Sequence, residues 1–204
     1  MPSGRVAIRV GLTGGLATGK SFVGKTLEGF GAHLIHADDL GHRALAKDGE
    51  AYHPVIAEFG RKILDPDGKI DRRHLASLVF GNPERLARLN AIVHPAVHRL
   101  QEAMTRDFLA ADPQGLIVYE AAILIETGGY KNFDRVILVT CTEQQQIERA
   151  MARDGLSREE VQARLSRQLP LEEKRKFADY VIDTSGTKQD TVRQTRAVYD
   201  ALVA

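Results

Sequence analysis

The sequence predicts an α/β fold in which a parallel β-sheet is flanked by helices on both faces. Short apolar runs, typical of parallel strands buried on both sides, recur along the chain and alternate with helix-like segments. A glycine-rich loop joins the first run to the first amphipathic segment. With 204 residues, the chain is long enough for one α/β core with a modest insertion, but short for two independent domains.

The glycine-rich loop contains a phosphate-binding motif. From Gly14 the chain reads G-x-x-x-x-G-K-S, with Gly19, Lys20 and Ser21 in the other fixed positions. The apolar run 6–10 precedes the loop and an amphipathic pattern follows it, which is the strand–loop–helix context that the motif requires. The alternative is a glycine-rich turn with an incidental Lys-Ser pair. The motif and its context favour a P-loop NTPase-type fold that binds a nucleoside triphosphate.

Each part of this loop has a physical role. Its glycines let the backbone curl so that successive amide N–H groups face phosphate oxygens at the positive end of the following helix. Lys20 brings a positive charge to the outer phosphates, and the Ser21 hydroxyl is placed to ligate Mg²⁺. We therefore predict nucleotide contacts from the whole loop, namely Gly14, Gly15, Leu16, Ala17, Thr18, Gly19, Lys20 and Ser21.

The other strands and helices follow from the same periodicities. Apolar runs after the loop predict four more strands, at residues 32–36, 116–119, 135–139 and 180–183. Residues 143–153 read as a helix, and the capping boxes Ser157-Arg-Glu-Glu160 and Thr187-Lys-Gln-Asp190 each open a further one. We expect the nucleotide to bind at the carboxyl ends of the strands.

Residues 38–112 contain no strand pattern. Helix-like patterns occupy this stretch, and Pro95 is expected to break or kink the last of them near His94. A helical insertion between two strands is a natural place for acceptor-specific surface. The predicted division is a nucleotide-binding core of residues 1–37, 113–148 and 178–204, a helical substrate-binding insertion at 38–112, and a helical lid at 149–177.

Composition argues against several classes of function. The net charge of +1 gives no general attraction to nucleic acid or membrane, and no apolar run reaches membrane-spanning length. The N-terminus lacks the apolar core of a signal peptide, so we expect a cytoplasmic protein. The single cysteine, Cys141, ends an apolar run and is expected to be a small buried residue rather than a nucleophile.

Two acidic residues follow predicted strands and are candidates for the chemistry. Asp38 lies just past the second strand, where a carboxylate could orient an acceptor hydroxyl, take its proton, or hold Mg²⁺ through water. It could also cap a helix that starts at Asp39. Glu120 ends the third strand and resembles the acid that holds Mg²⁺ in many such proteins, although a solvated strand end is an equal alternative.

The predicted lid is the most basic part of the chain. Most of its charges are expected to be solvated and paired with neighbouring glutamates. One or two arginines could instead close over the triphosphate and stabilise the charge that develops during transfer. We favour Arg153 for this catalytic and ATP-binding role, with Arg164 and Lys174 as weaker candidates.

With these segments in place, the chain resembles the dephospho-coenzyme A kinases almost end to end. The loop is close to that family's L-T-G-G-I-G-S-G-K-S, and Ala37-Asp38 matches the second half of its D-A-D. The A-D step, His94-Pro95 and the tail that begins at Arg153 are together specific. All further matches are these: Phe59-Gly60, Asp67-Gly68, Arg72, Leu75, Phe80, Ile92-Val-His94-Pro95, Ile123-Leu-Ile-Glu126, Arg153-Asp-Gly-Leu-Ser157, Gln168, Lys174-Arg175 and Ala178-Asp179-Tyr-Val-Ile-Asp183.

The resemblance implies transfer of the γ-phosphoryl group of ATP, with Mg²⁺, to the ribose 3′-hydroxyl of dephospho-coenzyme A. By the same resemblance Asp38 faces that hydroxyl, the insertion binds the acceptor, and residues 149–176 form the lid; we expect a monomer. Three residues depart from the family pattern. His36 replaces the first Asp of D-A-D, Ala122 replaces a proline, and Thr184 stands near the adenine where Asn is usual. Because His36 is not an aspartate, Glu120 is the candidate to supply the missing Mg²⁺ contact.

Two other functions remain open at this point. A kinase of the same architecture could act on a nucleoside monophosphate or a small alcohol. A GTP-driven switch is also conceivable, because Asp38-Asp-Leu-Gly41 fits D-x-x-G and Thr187-Lys-Gln-Asp190 loosely fits a guanine-reading motif. Helix capping explains Thr187 and Asp190 without a guanine base.

Overall fold

The structure is a computed structural model that describes residues 7–204, apart from the side chain of Asp38. Val6, the first residue of the first predicted strand, lies outside the described residues. Contacts between residues divide the chain into two compact units, one of residues 7–36 with Phe108–Ala204 and the other of Ala37–Asp107. No described helix combines the length and apolar character that crossing a membrane requires.

The larger unit is built on one parallel sheet. Within residues 7–204 its strands are β1 (Ile8–Gly14), β2 (His33–His36), β3 (Leu116–Glu120), β4 (Arg135–Thr140) and β5 (Tyr180–Asp183). They lie in the order β2-β3-β1-β4-β5, and every neighbouring pair is parallel. The register pairs Leu12 with Glu120 and His36 with Glu120, so the ends of three strands meet at one carboxyl edge. This confirms the predicted fold class.

Helices occur in both units, and the one predicted at residues 143–153 ends a single residue later, at Asp154. In the larger unit they are α1 (Lys20–Gly29), α6 (Glu143–Asp154), α7 (Arg158–Leu165), α8 (Leu171–Arg175) and α9 (Lys188–Val203). In the smaller unit they are α2 (Ala37–Ala44), α3 (Tyr52–Phe59), α4 (Arg72–Val79) and α5, which begins at Pro83 and ends at Ala111, just past the unit boundary. The capping boxes at Ser157 and Thr187 are both present.

The core of the sheet is filled from alternate strand positions and from two helices. Val10, Leu12, Val118 and Ile137 are fully buried on one face, where they pack with apolar residues of α1 and α9. Every residue of β3 is buried, as expected for a central parallel strand covered on both sides. This packing holds the end of β1, and the loop after it, in a fixed place.

The smaller unit has an apolar core of its own and no strand among its described residues. That core includes Val55, Ile63, Leu75 and Ala96. Pro95 does not break this helix, because α5 continues through it as a helix of 29 residues. Proline removes only one N–H from the helical ladder, and the surrounding turns bury Ala96 and pack Ile92, Val93 and Val97 against the core.

Candidate functional site

The glycine-rich loop leaves β1 and ends at the first turn of α1. Gly19, directly before the helix, has a φ of 87°, and Ala17 adopts a φ of 55°. Gly14 has no room for a side chain, because an added Cβ would lie 2.5 Å from Thr18 Oγ1 and 2.8 Å from the carbonyl oxygen of Val139. The motif glycines are therefore required by backbone conformation and by space as well as by amide access.

Side chains from other elements hold the loop. Gln168 accepts a hydrogen bond from the amide of Leu16 at 2.9 Å, and Gln146 donates to the carbonyl of the same residue at 2.7 Å. Thr184 lies on the other side, with its hydroxyl 2.7 Å from the carbonyl oxygen of Thr18, and Arg149 donates to its hydroxyl and carbonyl at 3.0 and 2.8 Å. These contacts fix the loop shape before any ligand binds.

Sequence reasoning did not assign these supporting roles. The sequence marks Gln168 and Thr184 only by comparison with the family pattern, and Arg149 only as the first residue of the predicted lid. Gln146 has no sequence signal beyond its place within the predicted helix at residues 143–153. A polar residue that supports a loop from another element has no characteristic spacing, because the contact spans more than a hundred residues of chain.

Glu120 lies at the centre of the charged part of the site. One carboxylate oxygen accepts from Lys20 Nζ at 2.8 Å and from Ser21 Oγ at 2.6 Å, and the other lies 2.8 Å from His36 Nδ1. The carboxylate is only 4% exposed. Burial raises its pKa, but the hydrogen bonds from Lys20 and Ser21, with the charges of Lys20 and His36, outweigh burial and lower the pKa below its ordinary value. Glu120 is therefore a buried carboxylate anion, and the alternative of a solvated strand end is wrong.

This cluster has the donor chemistry that Mg²⁺ prefers. The hydroxyl of Ser21 and the carboxylate of Glu120 are hard oxygen ligands held side by side. Among the described residues, no group of three or more His, Cys, Asp and Glu side chains could enclose a metal ion. A hydroxyl and a carboxylate held side by side suit Mg²⁺, which usually keeps several waters and binds through one or two protein oxygens and the phosphates of a nucleotide.

The structure contradicts the alternative interpretation of Asp38 as a helix cap. Helix α2 begins at Ala37, so Asp38 lies inside the first turn and is not the cap of a helix starting at Asp39. It follows His36, the last residue of β2, by two positions in the chain. Its role toward an acceptor hydroxyl stays a prediction.

The arginines of the predicted lid differ in their partners. Arg153, 62% exposed, donates twice to its neighbour Asp154, at 2.7 and 2.9 Å, and Arg164 lies 3.9 Å from the same carboxylate. The hydrogen bond from Arg153 lowers the pKa of Asp154. A guanidinium held by an exposed acid can exchange that partner for phosphate oxygens at little cost. ATP contact by Arg153 stays a prediction.

Lys174 differs most from its sequence interpretation. It was a candidate cation on a solvated lid helix, and the structure buries its side chain completely. Its ammonium group lies 2.7 Å from Glu126 Oε1, not beside the neighbouring acids Glu172 and Glu173. The expectation that the lid charges are solvated and paired with neighbouring glutamates is therefore wrong for Lys174, because its four-carbon stem reaches inward from α8.

A cleft of about 760 Å³ borders the loop on the side of α6 to α8. Gly15, Gln146 and Gln168 line it together with Cys141. Its volume falls within the range of small-molecule sites, roughly 300–1,000 Å³. Burial raises the pKa of the Cys141 thiol, which disfavours the thiolate. Cys141 is therefore part of the lining of the cleft and not a nucleophile, as its sequence context indicated.

Comparisons with known proteins point to one family. The family model for dephospho-CoA kinase matches residues 8–190. A dephospho-CoA kinase from Aquifex aeolicus is 41% identical over 194 residues, covering 95% of this chain and 97% of that protein. A solved structure from Thermus thermophilus is similar with a TM-score of 0.82, at 36% identity and covering 98% of this chain and 100% of that one. The structure of a dephospho-CoA kinase from Campylobacter jejuni has a TM-score of 0.71 at 28% identity, covering 97% of this chain and 98% of that one.

Proposed function

This chain belongs to the dephospho-CoA kinase family, and from that premise we propose how its residues catalyse the family reaction. The reaction transfers the γ-phosphoryl group of ATP to the ribose 3′-hydroxyl of dephospho-coenzyme A and gives coenzyme A and ADP. The observation that carries the mechanism is the cluster in which Lys20 and Ser21 converge on the buried carboxylate of Glu120 at the start of α1.

The phosphate loop binds the triphosphate of ATP. The curled backbone from Gly14 to Gly19 offers amide N–H groups, and the first turn of α1 adds the positive end of the helix dipole. Lys20, already at this end of the helix, supplies a positive charge to the outer phosphates. Because phosphoryl transfer depends mainly on positioning and charge stabilisation, these groups need no covalent chemistry.

Mg²⁺ is the metal that fits the site, and Ser21 and Glu120 are the residues that would hold it. When bound, the ion supplies charge neutralisation for the phosphate oxygens. Glu120 also compensates for His36, which stands where the family usually has an aspartate. Glu120 Oε2 lies 2.8 Å from His36 Nδ1. The Glu120 carboxylate, on β3, therefore lies next to the position on β2 where the family has its aspartate carboxylate.

Asp38 is the proposed general base. Its carboxylate accepts the proton of the 3′-hydroxyl as that oxygen bonds to the γ-phosphorus, and ADP leaves with the electron pair of the broken P–O bond. Support comes from its place two residues after His36, the last residue of β2, and from the match to the family's A-D step.

The two helical excursions complete the proposed enzyme. The unit Ala37–Asp107 would bind the acceptor, and it contains a cavity of about 400 Å³ lined by residues that include Arg43, Glu50 and Arg99. Residues 149–177 would close over ATP, with Arg153 exchanging Asp154 for phosphate oxygens. A lid of this kind excludes water, which would otherwise compete with the ribose hydroxyl.

The test is an ADP-release assay coupled to a reporter enzyme, with and without dephospho-coenzyme A. We expect release that depends on this acceptor, and Asp38→Asn should lower turnover by roughly 10²–10⁴ while ATP binding stays near normal. Asp39→Asn, at the exposed neighbouring position in α2, is the matched control and should retain activity. Ordinary turnover in Asp38→Asn would remove this residue from the mechanism.

The same assay separates the other two functions. Strong preference for another hydroxyl compound in an acceptor panel would favour a different small-molecule kinase. Tight GTP binding without acceptor-stimulated turnover would favour a switch. Against the switch, Thr187 and Asp190 cap each other at the start of α9, and the Asp-x-x-Gly sequence lies within α2.

A further inference from the structure

A buried lysine lies behind the phosphate loop, and the proposed mechanism does not use it. Lys174 in α8 has no exposed side-chain surface. Its three N–H groups meet three acceptors: Glu126 Oε1 at 2.7 Å, the carbonyl oxygen of Ala122 at 3.2 Å and the carbonyl oxygen of Gly14 at 3.4 Å. An ammonium group is buried without large cost only when it is paired and its remaining protons are bonded, and here both conditions are met.

These acceptors belong to separate parts of the chain. Gly14 is the last residue of β1 and the first of the phosphate loop, whereas Ala122 and Glu126 lie in the segment after β3. Glu126 also accepts a hydrogen bond from the amide of Leu169 at 3.2 Å, ahead of α8. Lys174 therefore ties the start of the loop to the end of the predicted lid through a single charged group.

The contact with Gly14 has a direct consequence for the loop. The peptide bond between Gly14 and Gly15 is trans and planar, so its carbonyl and its N–H point in opposite directions. A cation that holds the carbonyl of Gly14 therefore turns the N–H of Gly15 away from Lys174. A glycine has few restraints of its own on this rotation, so an outside contact is needed to set it.

We propose that Lys174 is a positioning residue for ATP, which sets the first peptide of the phosphate loop and fastens the base of the lid beside it. Its charge does not act on the nucleotide; it fixes the direction of the amide that does. The inference depends on ATP binding by the loop, and it leaves the identity of the acceptor aside.

The test replaces the ammonium group without removing the apolar stem. Lys174→Met leaves Glu126 without its cation, so the double variant Lys174→Met/Glu126→Gln removes both charges together. Lys131→Met is the matched control, because Lys131 is exposed and, like Glu126, lies in the segment after β3. ATP affinity is measured by equilibrium binding, thermal unfolding without nucleotide reports on the fold, and steady-state kinetics give KM separately for ATP and dephospho-coenzyme A.

We expect folded variants with ATP affinity reduced by roughly 10- to 100-fold, as for other residues that orient a binding group from behind. KM for ATP should rise while KM for dephospho-coenzyme A changes little, a split that a general loss of stability would not produce. Unchanged ATP affinity in the folded double variant would overturn the proposal. So would failure of both variants to fold, which would give Lys174 a role in stability alone. If the wild-type protein binds ATP but does not phosphorylate dephospho-coenzyme A, the proposed function fails and the inference stands.

Discussion

Replacing Glu120 by glutamine tests the charge arrangement of the site without any substrate. The substitution keeps the shape and one acceptor oxygen, but it removes the negative charge that meets Lys20 and Ser21. A hydrogen bond to a charged group contributes about 1.5–3 kcal/mol. Because Lys20 is 13% exposed and can recover part of its hydration, we expect a loss in the lower half of that range.

The expected loss translates into a measurable change in thermal stability. For a chain of this size 1 kcal/mol corresponds to roughly 2–4 °C in Tm, so Glu120→Gln should lower the midpoint by about 3–9 °C. The assay is thermal unfolding followed by circular dichroism at neutral pH without nucleotide. Glu28→Gln, at an exposed position on α1, is the control and should change stability by less than about 0.5 kcal/mol.

The pH dependence of this Tm difference tests whether the lost negative charge of Glu120 is its cause. The pKa of Glu120 is lowered from its ordinary value of 4.5 in the folded protein, so its contribution is complete above that value and is lost as the pH falls through the folded-state pKa. The gap in Tm between wild type and Glu120→Gln should stay constant at neutral pH and shrink in acid. A gap below about 1 °C at neutral pH, or one that widens in acid, would refute the reasoning.

Two further substitutions test the phosphate loop. Lys20→Ala should lower turnover by roughly 10²–10³ through lost charge stabilisation, and Lys25→Ala, exposed on the same helix, should be near normal in the ADP-release assay. Gly14→Ala would force a Cβ against Thr18 and Val139, so it should cost about 1–3 kcal/mol in a denaturant titration and weaken ATP binding. Gly29→Ala, where an added Cβ meets nothing within 4 Å, should be neutral or slightly stabilising. Normal activity in Lys20→Ala, or equal stability of the two alanine variants, would contradict this account.

Local sequence patterns predicted the phosphate loop and the helix starts because both depend on interactions between residues that are close in the chain. The phosphate loop is recognisable from Gly14 to Ser21 because curling backbone around phosphate requires glycines at fixed spacing, just before a helix. The capping boxes at Ser157 and Thr187 are equally short-range, since cap and partner lie three residues apart. Pro95 does not break α5, because a tertiary force, burial of the surrounding helix face, outweighed a local rule.

By itself the sequence determined a P-loop α/β protein and its family, because motif spacing and apolar periodicity record the conformation of neighbouring residues. Only the tertiary structure decided which side chains converge. It put Glu120 against Lys20, Ser21 and His36, and it turned Lys174 from an apparent surface charge into a buried contact behind Gly14. Such contacts join strands and helices far apart in the chain, and their energies depend on burial and distance, neither of which has a sequence period.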